Sequence, residues 1–408
     1  MRLAEPGLNI PARQLFAKLA DEGHVALAVS GGSDSVAMMR LVQDWARDHA
    51  HSLKLTVLTV DHGLRPEAAA EAALVARWCG ALSLNHHILK WEGVKPATGV
   101  QAKARAARYG LMSAWCAANS AKFLLTAHTL DDQAETVLMR QRRTDTAESL
   151  AGIWETTSWN GIEIFRPLLG VKRAELRQYL SHVNQPWIDD PSNLDVKYER
   201  VRLRSELVSE DARMEALAGI AAAAGHEALR LAKAAKDWNL QHLKSYPEGY
   251  GIVSRPEFSK LGADIQQRVL QQLIGLFGAG NRAEPQELVE VCKWIAGQSL
   301  SRRTLGGAVL AARKRSIVVG REAGRISSVS VFVPETGEIV WDGRFLINAP
   351  PGSQVVPVAH LKNLERRPDI PNFVELALPA VLLCENNVVA PHLSLGEGVS
   401  AKFIRYLR

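Results

Sequence analysis

The run Ser30-Gly31-Gly32-Ser33-Asp34-Ser35 sets glycines, serines and a carboxylate between a short apolar stretch, His24–Ser30, and a helical pattern, Ser35–Ala46. Glycines let the main chain close on a ligand, hydroxyls add donors, and a helix start adds unpaired N–H groups and partial positive charge. Together they make a pocket for an anion. The run has no lysine, so it is not the GxxxxGKS/T phosphate loop, and it lacks the GxGxxG of a dinucleotide fold. Alone, a Ser-Gly-Gly turn with Asp34 as a helix-start carboxylate would also explain it.

A second chemistry-bearing stretch is His128-Thr129-Leu130-Asp131-Asp132-Gln133-Ala134-Glu135-Thr136. On a helix starting near Asp131, Asp132 and Glu135 are three apart and Asp131 and Glu135 four apart, so the carboxylates share a face. Beside an anion pocket such a cluster can hold magnesium or grip a cation, although Asp131 and Asp132 alone could simply complement the helix dipole. Arg105 and Arg108, followed by Tyr109, aim two guanidinium groups the same way from a helical pattern over Gln101–Asn119. That is either a solvated basic face or a grip for phosphate oxygens. Asp61-His62-Gly63-Leu64-Arg65 closes another apolar run. Lys197, Arg200, Arg202 and Arg204 form a cationic cluster suited to an RNA backbone or to a charged linker.

The elements that must position these residues alternate. Strand-like runs at His24–Ser30, Leu53–Asp61 and Lys122–His128 are separated by helical patterns at Ser35–Ala46, Glu67–Cys79 and Gln101–Asn119. This predicts an α/β domain with a parallel sheet, whose ligands sit beyond the C-terminal ends of the strands. Ser30, Asp61 and His128 all stand at such ends. Past Arg204 the texture changes. Val208–Lys244 is rich in alanine and leucine, Ala263–Phe277 and Glu284–Ile295 continue the helical pattern, and Leu305–Ala312, Ser316–Gly320, Val329–Val333 and a hairpin over Gly337–Ile347 read as β. The expected division is an α/β domain over 1–207, a helical region over 208–300 and a β-rich region over 301–408.

At 408 residues the chain exceeds one ordinary core, and its net charge of +6 is a mild basic excess that fits a polyanionic partner. Cys79, Cys116, Cys292 and Cys384 are scattered without a CxxC pair, which fits a reducing compartment and argues against a structural zinc site. The start of the sequence has no apolar leader and no run is long enough to cross a bilayer, so a soluble cytoplasmic protein without a membrane partner is expected.

The first loop resembles the SGGxDS signature of the pyrophosphatase-loop (PP-loop) ATP-binding enzymes, which implies cleavage of ATP between its α and β phosphates with Asp34 holding Mg2+. The loop alone would also admit GMP synthetase, asparagine synthetase or the thiolating tRNA enzymes. However, Cys79 and Cys116 sit in predicted helices, and no glutaminase is visible. The ordered set SGGSDS, DHGLR, RAARY, HTLDDQAET, RPLL at Arg166–Leu169 with Arg173, and DPSN at Asp190–Asn193, followed by Asp195, Tyr198, Arg200 and Arg204, resembles the tRNA(Ile)-lysidine synthetases over about half the chain.

That resemblance implies an adenine-nucleotide α-hydrolase-like N-terminal domain, a helical segment and a smaller α+β C-terminal part. It implies that Ser30, Gly31, Gly32, Ser33, Asp34, Ser35, Asp61, His62 and His128 hold ATP. It makes Asp34, Arg105, Arg108, His128, Asp132 and Glu135 catalytic, with Arg105 and Arg108 on phosphate or the activated base. It gives Asp132 and Glu135 the ammonium groups of free L-lysine, Arg200 and Arg204 the tRNA, and the helical region over 208–300 tRNA binding. The implied partner is tRNA(Ile) with a CAU anticodon, whose wobble cytidine is adenylated and then joined to lysine; a homodimer is admitted. Two departures stand out. The family's glycine-rich RGSGxxG segment is here Arg143-Thr144-Asp145-Thr146-Ala147-Glu148-Ser149, which predicts a stiffer loop, and Val201 follows Arg200 where asparagine is common.

Overall fold

The computed structural model describes residues 11–64, 66–93, 95, 98–144, 146–189, 199–207, 210–297, 300–326, 330–361, 367–383, 388–393 and 398–405, with the side chains of Val201 and Leu393 outside that description. The expectations that fall on Arg65, Asp145, the Asp190–Asn193 turn, Asp195, Lys197, Tyr198, Val201 and Cys384 lie outside the described residues. The chain divides into two compact units, Met1–Ala228 and Leu229–Arg408.

The first unit is wound on a six-stranded sheet built from β1 (His24–Ala28), β2 (Lys54–Asp61), β3 (Asn85–Lys90), β4 (Phe123–Leu125), β5 (Thr156–Trp159) and β6 (Ile162–Phe165), in the order β3-β2-β1-β4-β6-β5. All neighbours pair parallel except β5 with β6. Between them run α1 (Ser33–His49), α2 (Ala68–Ala81), α3 (Val100–Ala118) and α4 (Leu130–Gln141), followed by α5 (Arg173–His182) and α6 (Glu199–Leu207). Strand side chains alternate between faces. Val25, Leu27, Val57, Phe123 and Leu125 pack on one face with Val36, Met39, Val42 and Trp45 of α1 and Leu176 and Leu180 of α5. Ala26, Leu58, Leu124 and Ile164 pack on the other with Tyr109, Met112 and Cys116 of α3. With both faces covered, each fully buried Leu, Val or Phe contributes about 1.5–3 kcal/mol. Cys79 and Cys116 are free and buried in this packing.

Three sequence readings change. The run Lys122–His128 is a strand only to Leu125, and Thr126–Thr129 is a loop leading to α4. The edge strand β3 and the hairpin β5–β6 are additions to the expected elements. Leu305–Ala312 is two strands, because Gly306 and Gly307 take φ of +59° and +76° and turn the chain.

The second unit joins β7 (Lys244–Tyr246), β8 (Tyr250–Ser254), β9 (Arg302–Leu305), β10 (Ala308–Ala312) and β11 (Ser316–Arg321) in the order β7-β8-β11-β10-β9. This sheet pairs strands lying on either side of residue 300. Helices Ala263–Phe277 and Pro285–Ala296 supply Leu270, Leu273, Phe277 and Ile295 to its core. Two smaller sheets of four and three strands complete it, with Glu338–Trp341 and Phe345–Asn348 forming the expected hairpin. The boundary between the units falls inside the helix Asp211–His242. Among the described residues, no helix is long and apolar enough to cross a membrane.

Candidate functional site

The strand order reverses at β1 and β4: β2 and β3 lie to one side of β1, and β4 to the other. A crevice opens beyond the C-terminal ends of strands at such a switch point. The loop after β1 and the segment after β4 both end there.

In the loop, Gly31 takes φ +95°, and a Cβ on it would lie 2.6 Å from Ile188 Cδ1. Only glycine tolerates that conformation at no steric cost. The Ser35 hydroxyl donates to the Gly32 carbonyl at 2.9 Å and accepts from the Ser30 N–H at 3.2 Å, so it ties the loop to itself. Ser33 and Ser35 are buried and Ser30 is exposed. Gly32 caps α1, whose opening N–H groups have no intrahelical partner and carry the positive end of the helix dipole.

Across the crevice, Thr129 and Asp132 form a reciprocal cap on α4, with the Thr129 N–H donating to Asp132 Oδ2 at 2.9 Å. That leaves Asp132 Oδ1, which accepts from Arg173 Nη2 at 3.1 Å. Arg173 Nε donates to Asp34 Oδ2 at 2.9 Å, and its backbone N–H to Asp131 Oδ2 at 2.8 Å. Glu135 is 1% exposed; its Oε1 accepts from Arg204 Nε at 2.8 Å and lies 3.8 Å from Arg173 Nη1, while Oε2 has no partner among the described residues. In formal charge, four carboxylates face two guanidinium groups, leaving two negative charges.

Burial raises the carboxyl pKa of Asp34 and of Glu135, with Arg173 and Arg204 respectively offsetting part of the effect. Burial acts in the same direction on Asp132. There Arg173, the Thr129 N–H and His128 outweigh it and hold the carboxyl below its usual range.

His128 bonds Thr126 Oγ1 through Nδ1 at 3.1 Å. Burial, helped by the Arg166, Arg105 and Arg108 charges and opposed by Asp132, pushes its pKa down to about 4, so the ring is neutral at pH 7. Arg105 and Arg108 lie 5.0 and 5.4 Å from the Tyr109 ring. Arg108 Nε is buried without a partner among the described residues, and burial lowers the pKa of Arg108. Farther along the sheet edge, Asp61 accepts from the Gly63 N–H at 2.9 Å, and His62 packs edge-on against Trp91. Burial, then Arg108, lowers the His62 pKa.

The structure therefore brings Asp34, Asp132 and Glu135 together with Arg204, sets Arg200 beside them through Thr136 Oγ1 at 3.1 Å, and lines His128, Arg105, Arg108, His62 and Asp61 along the same sheet edge. The sequence placed Arg173 with the Arg166–Leu169 block but gave it no role, because its partners stand 139 and 41 residues away. The glycine-free segment forms a short helix, Ala147–Leu150, capped by Thr146. Arg140 holds it through the Ser149 and Gly152 carbonyls at 2.8 and 2.7 Å.

Among the described residues, no group of three His, Cys, Asp or Glu side chains could cage a metal. A hard carboxylate at Asp34, beside a phosphate-sized loop, is nevertheless what magnesium needs, since Mg2+ takes one or two carboxylates plus substrate phosphates. The residues fit it, although Arg173 already engages Asp34 Oδ2.

A family model for the PP-loop domain matches residues 6–211. The chain is 39% identical over 326 residues to a tRNA(Ile)-lysidine synthase of Rhodopseudomonas palustris, covering 76% of this chain and 93% of that one. It is 34% identical over 403 residues to the enzyme of that name in Ruegeria pomeroyi, covering 93% and 90%. With the one in Rhizobium meliloti it shares 30% over 407 residues, covering 96% and 87%.

Proposed function

The chain belongs to the tRNA(Ile)-lysidine synthases, a family built on the PP-loop domain, and from that premise we propose that it joins free L-lysine to C2 of the wobble cytidine in a CAU-anticodon tRNA(Ile) at the expense of ATP. The supporting observation is that a loop fit for phosphates and a buried acidic helix meet across one crevice, close enough for Asp34, Asp132 and Glu135 to share Arg173.

The chemistry is balanced in two steps. The cytidine O2 attacks the α-phosphorus of ATP, and pyrophosphate leaves. The lysine ε-amine, having lost a proton, then attacks C2, and the C2–O bond breaks to release AMP. A pyrimidine carbonyl is a poor electrophile, and the phosphate ester supplies its leaving group. The loop N–H groups from Gly32 onward hold the phosphates at the helix start. Magnesium, held by Asp34 and the phosphates, would neutralise charge on the departing pyrophosphate. His128, neutral and anchored to Thr126, sits beside the nucleotide as a hydrogen-bonding group rather than a cation. Asp61 and His62 border the adenosine, and Arg105 and Arg108 bind phosphate or the adenylated base. Asp132 Oδ1 and the bare Glu135 Oε2 take the ammonium groups of lysine. Arg200 and Arg204 meet the tRNA, and regions 208–300 and 301–408 clamp it, because a cytosine in a structured loop must be unstacked to react. A homodimer is compatible with this reading, and light scattering decides it.

The test mixes the protein with labelled lysine, ATP, magnesium and transcripts carrying either cytidine or uridine at the wobble position. Lysine incorporation into the cytidine transcript alone, with AMP and pyrophosphate released, is expected. No incorporation, or incorporation indifferent to the base, would contradict the reading.

A further inference from the structure

Arg173 opens α5 and lies against both halves of the crevice. Its Nε is bound to Asp34 of the loop at 2.9 Å and its Nη2 to Asp132 of the acidic helix at 3.1 Å, with Nη1 3.8 Å from Glu135. The backbone N–H is pinned to Asp131 Oδ2 at 2.8 Å, so the main chain is fixed while a long side chain keeps its rotamer choices. The Asp132 oxygen it occupies is the one the helix cap leaves over for a ligand. Beside it, Glu135 is 1% exposed yet has one oxygen without a partner among the described residues. A buried bare acceptor is rare in a finished core and marks a group waiting for a donor.

We propose that Arg173 is a placeholder cation: a positioning residue that fills the ammonium subsite of the free protein and surrenders it when ATP enters the loop. This rests on the reading that Asp132 and Glu135 receive lysine. A guanidinium and an ammonium cannot share Asp132 Oδ1 without like-charge repulsion at contact distance. A triphosphate seated in the loop offers the guanidinium fork several anionic oxygens in a geometry that suits it. The cation that accompanies the nucleotide competes for Asp34 at the same time. Both effects draw the guanidinium off the α4 acids and leave Asp132 and Glu135 open. Nucleotide and lysine therefore bind with positive coupling, and by linkage each strengthens the other by the same factor.

The experiment titrates L-lysine into the full-length protein by calorimetry, without nucleotide and then with magnesium and the α,β-methylene analogue of ATP, which cannot break at that bond. Lysine affinity should rise by about tenfold or more with the analogue. Arg173→Gln should bind lysine without nucleotide about as tightly as the loaded wild type does, its coupling collapsing towards one. Arg173→Lys, which restores the charge, should recover part of the coupling. Equal lysine affinity of the wild type with and without the analogue overturns the proposal with no variant needed. So does Arg173→Gln that keeps full coupling. Lysine binding in no state at all overturns it together with the lysine reading.

Discussion

Replacing Glu135 by glutamine removes a charge while keeping shape, which separates the acid's work on substrate from its work in the fold. Its Oε1 sits 2.8 Å from Arg204 Nε, and its Oε2 has no partner among the described residues. A hydrogen bond to a charged group is worth about 1.5–3 kcal/mol, which converts to a loss of roughly 10- to 150-fold in lysine affinity. The fold should lose far less. Burial already penalises the carboxylate, the amide oxygen can still accept from Arg204, and Arg204 is 36% exposed and can turn to water. Unfolding free energy should change by about 1 kcal/mol or less. The assay compares the KM for lysine in tRNA modification with pyrophosphate release in the lysine-independent first step. The variant should raise the first and leave the second close to wild type. An unchanged lysine KM, or adenylation falling in parallel with lysine use, would refute the assignment.

Other expectations follow from the same geometry. Asp34→Ala should abolish pyrophosphate release while Arg173 keeps its bond to Asp132 and the fold persists; normal turnover would contradict the loop assignment. Gly31→Ala meets both the +95° φ and Ile188 Cδ1 at 2.6 Å, so it should cost about 1–3 kcal/mol in denaturant melts and weaken nucleotide binding. His128 titrates near 6.5 when unfolded and at about 4 when folded, so the fold prefers the neutral ring. Its contribution is complete above pH 6.5 and is lost as pH falls from there towards 4, by up to about 3 kcal/mol. His128→Gln should flatten the stability–pH curve over that window, and an unchanged slope would refute the shift.

Much of the site was legible because its residues cluster in sequence at strand ends. Ser30–Ser35, Asp61-His62 and His128–Thr136 each carry their chemistry in one short block beside a recognisable apolar run. The helix Ala263–Phe277 was legible from end to end, because Val269, Leu270, Leu273, Ile274 and Phe277 recur on one buried face. Other elements were hidden for identifiable reasons. Strand β3, Asn-His-His-Ile-Leu-Lys, lies at the sheet edge and is partly exposed throughout, so it lacks an apolar run. The β5–β6 hairpin did carry a signal, Asn160-Gly161, whose φ values of +48° and +81° are those of a tight hairpin turn. Arg173 was visible only as part of a block, not in its role, since its meaning lies in acids brought to it by the parallel pairing of β1 and β4.

The most direct test of the central claim is a crystal structure with the α,β-methylene analogue of ATP, magnesium and L-lysine bound together. The account predicts phosphates against the backbone N–H groups at the start of α1 and a lysine ammonium on Asp132 and Glu135, with Arg173 turned away from both. Nucleotide bound elsewhere, with Arg173 still bridging Asp34 and Asp132, would contradict it.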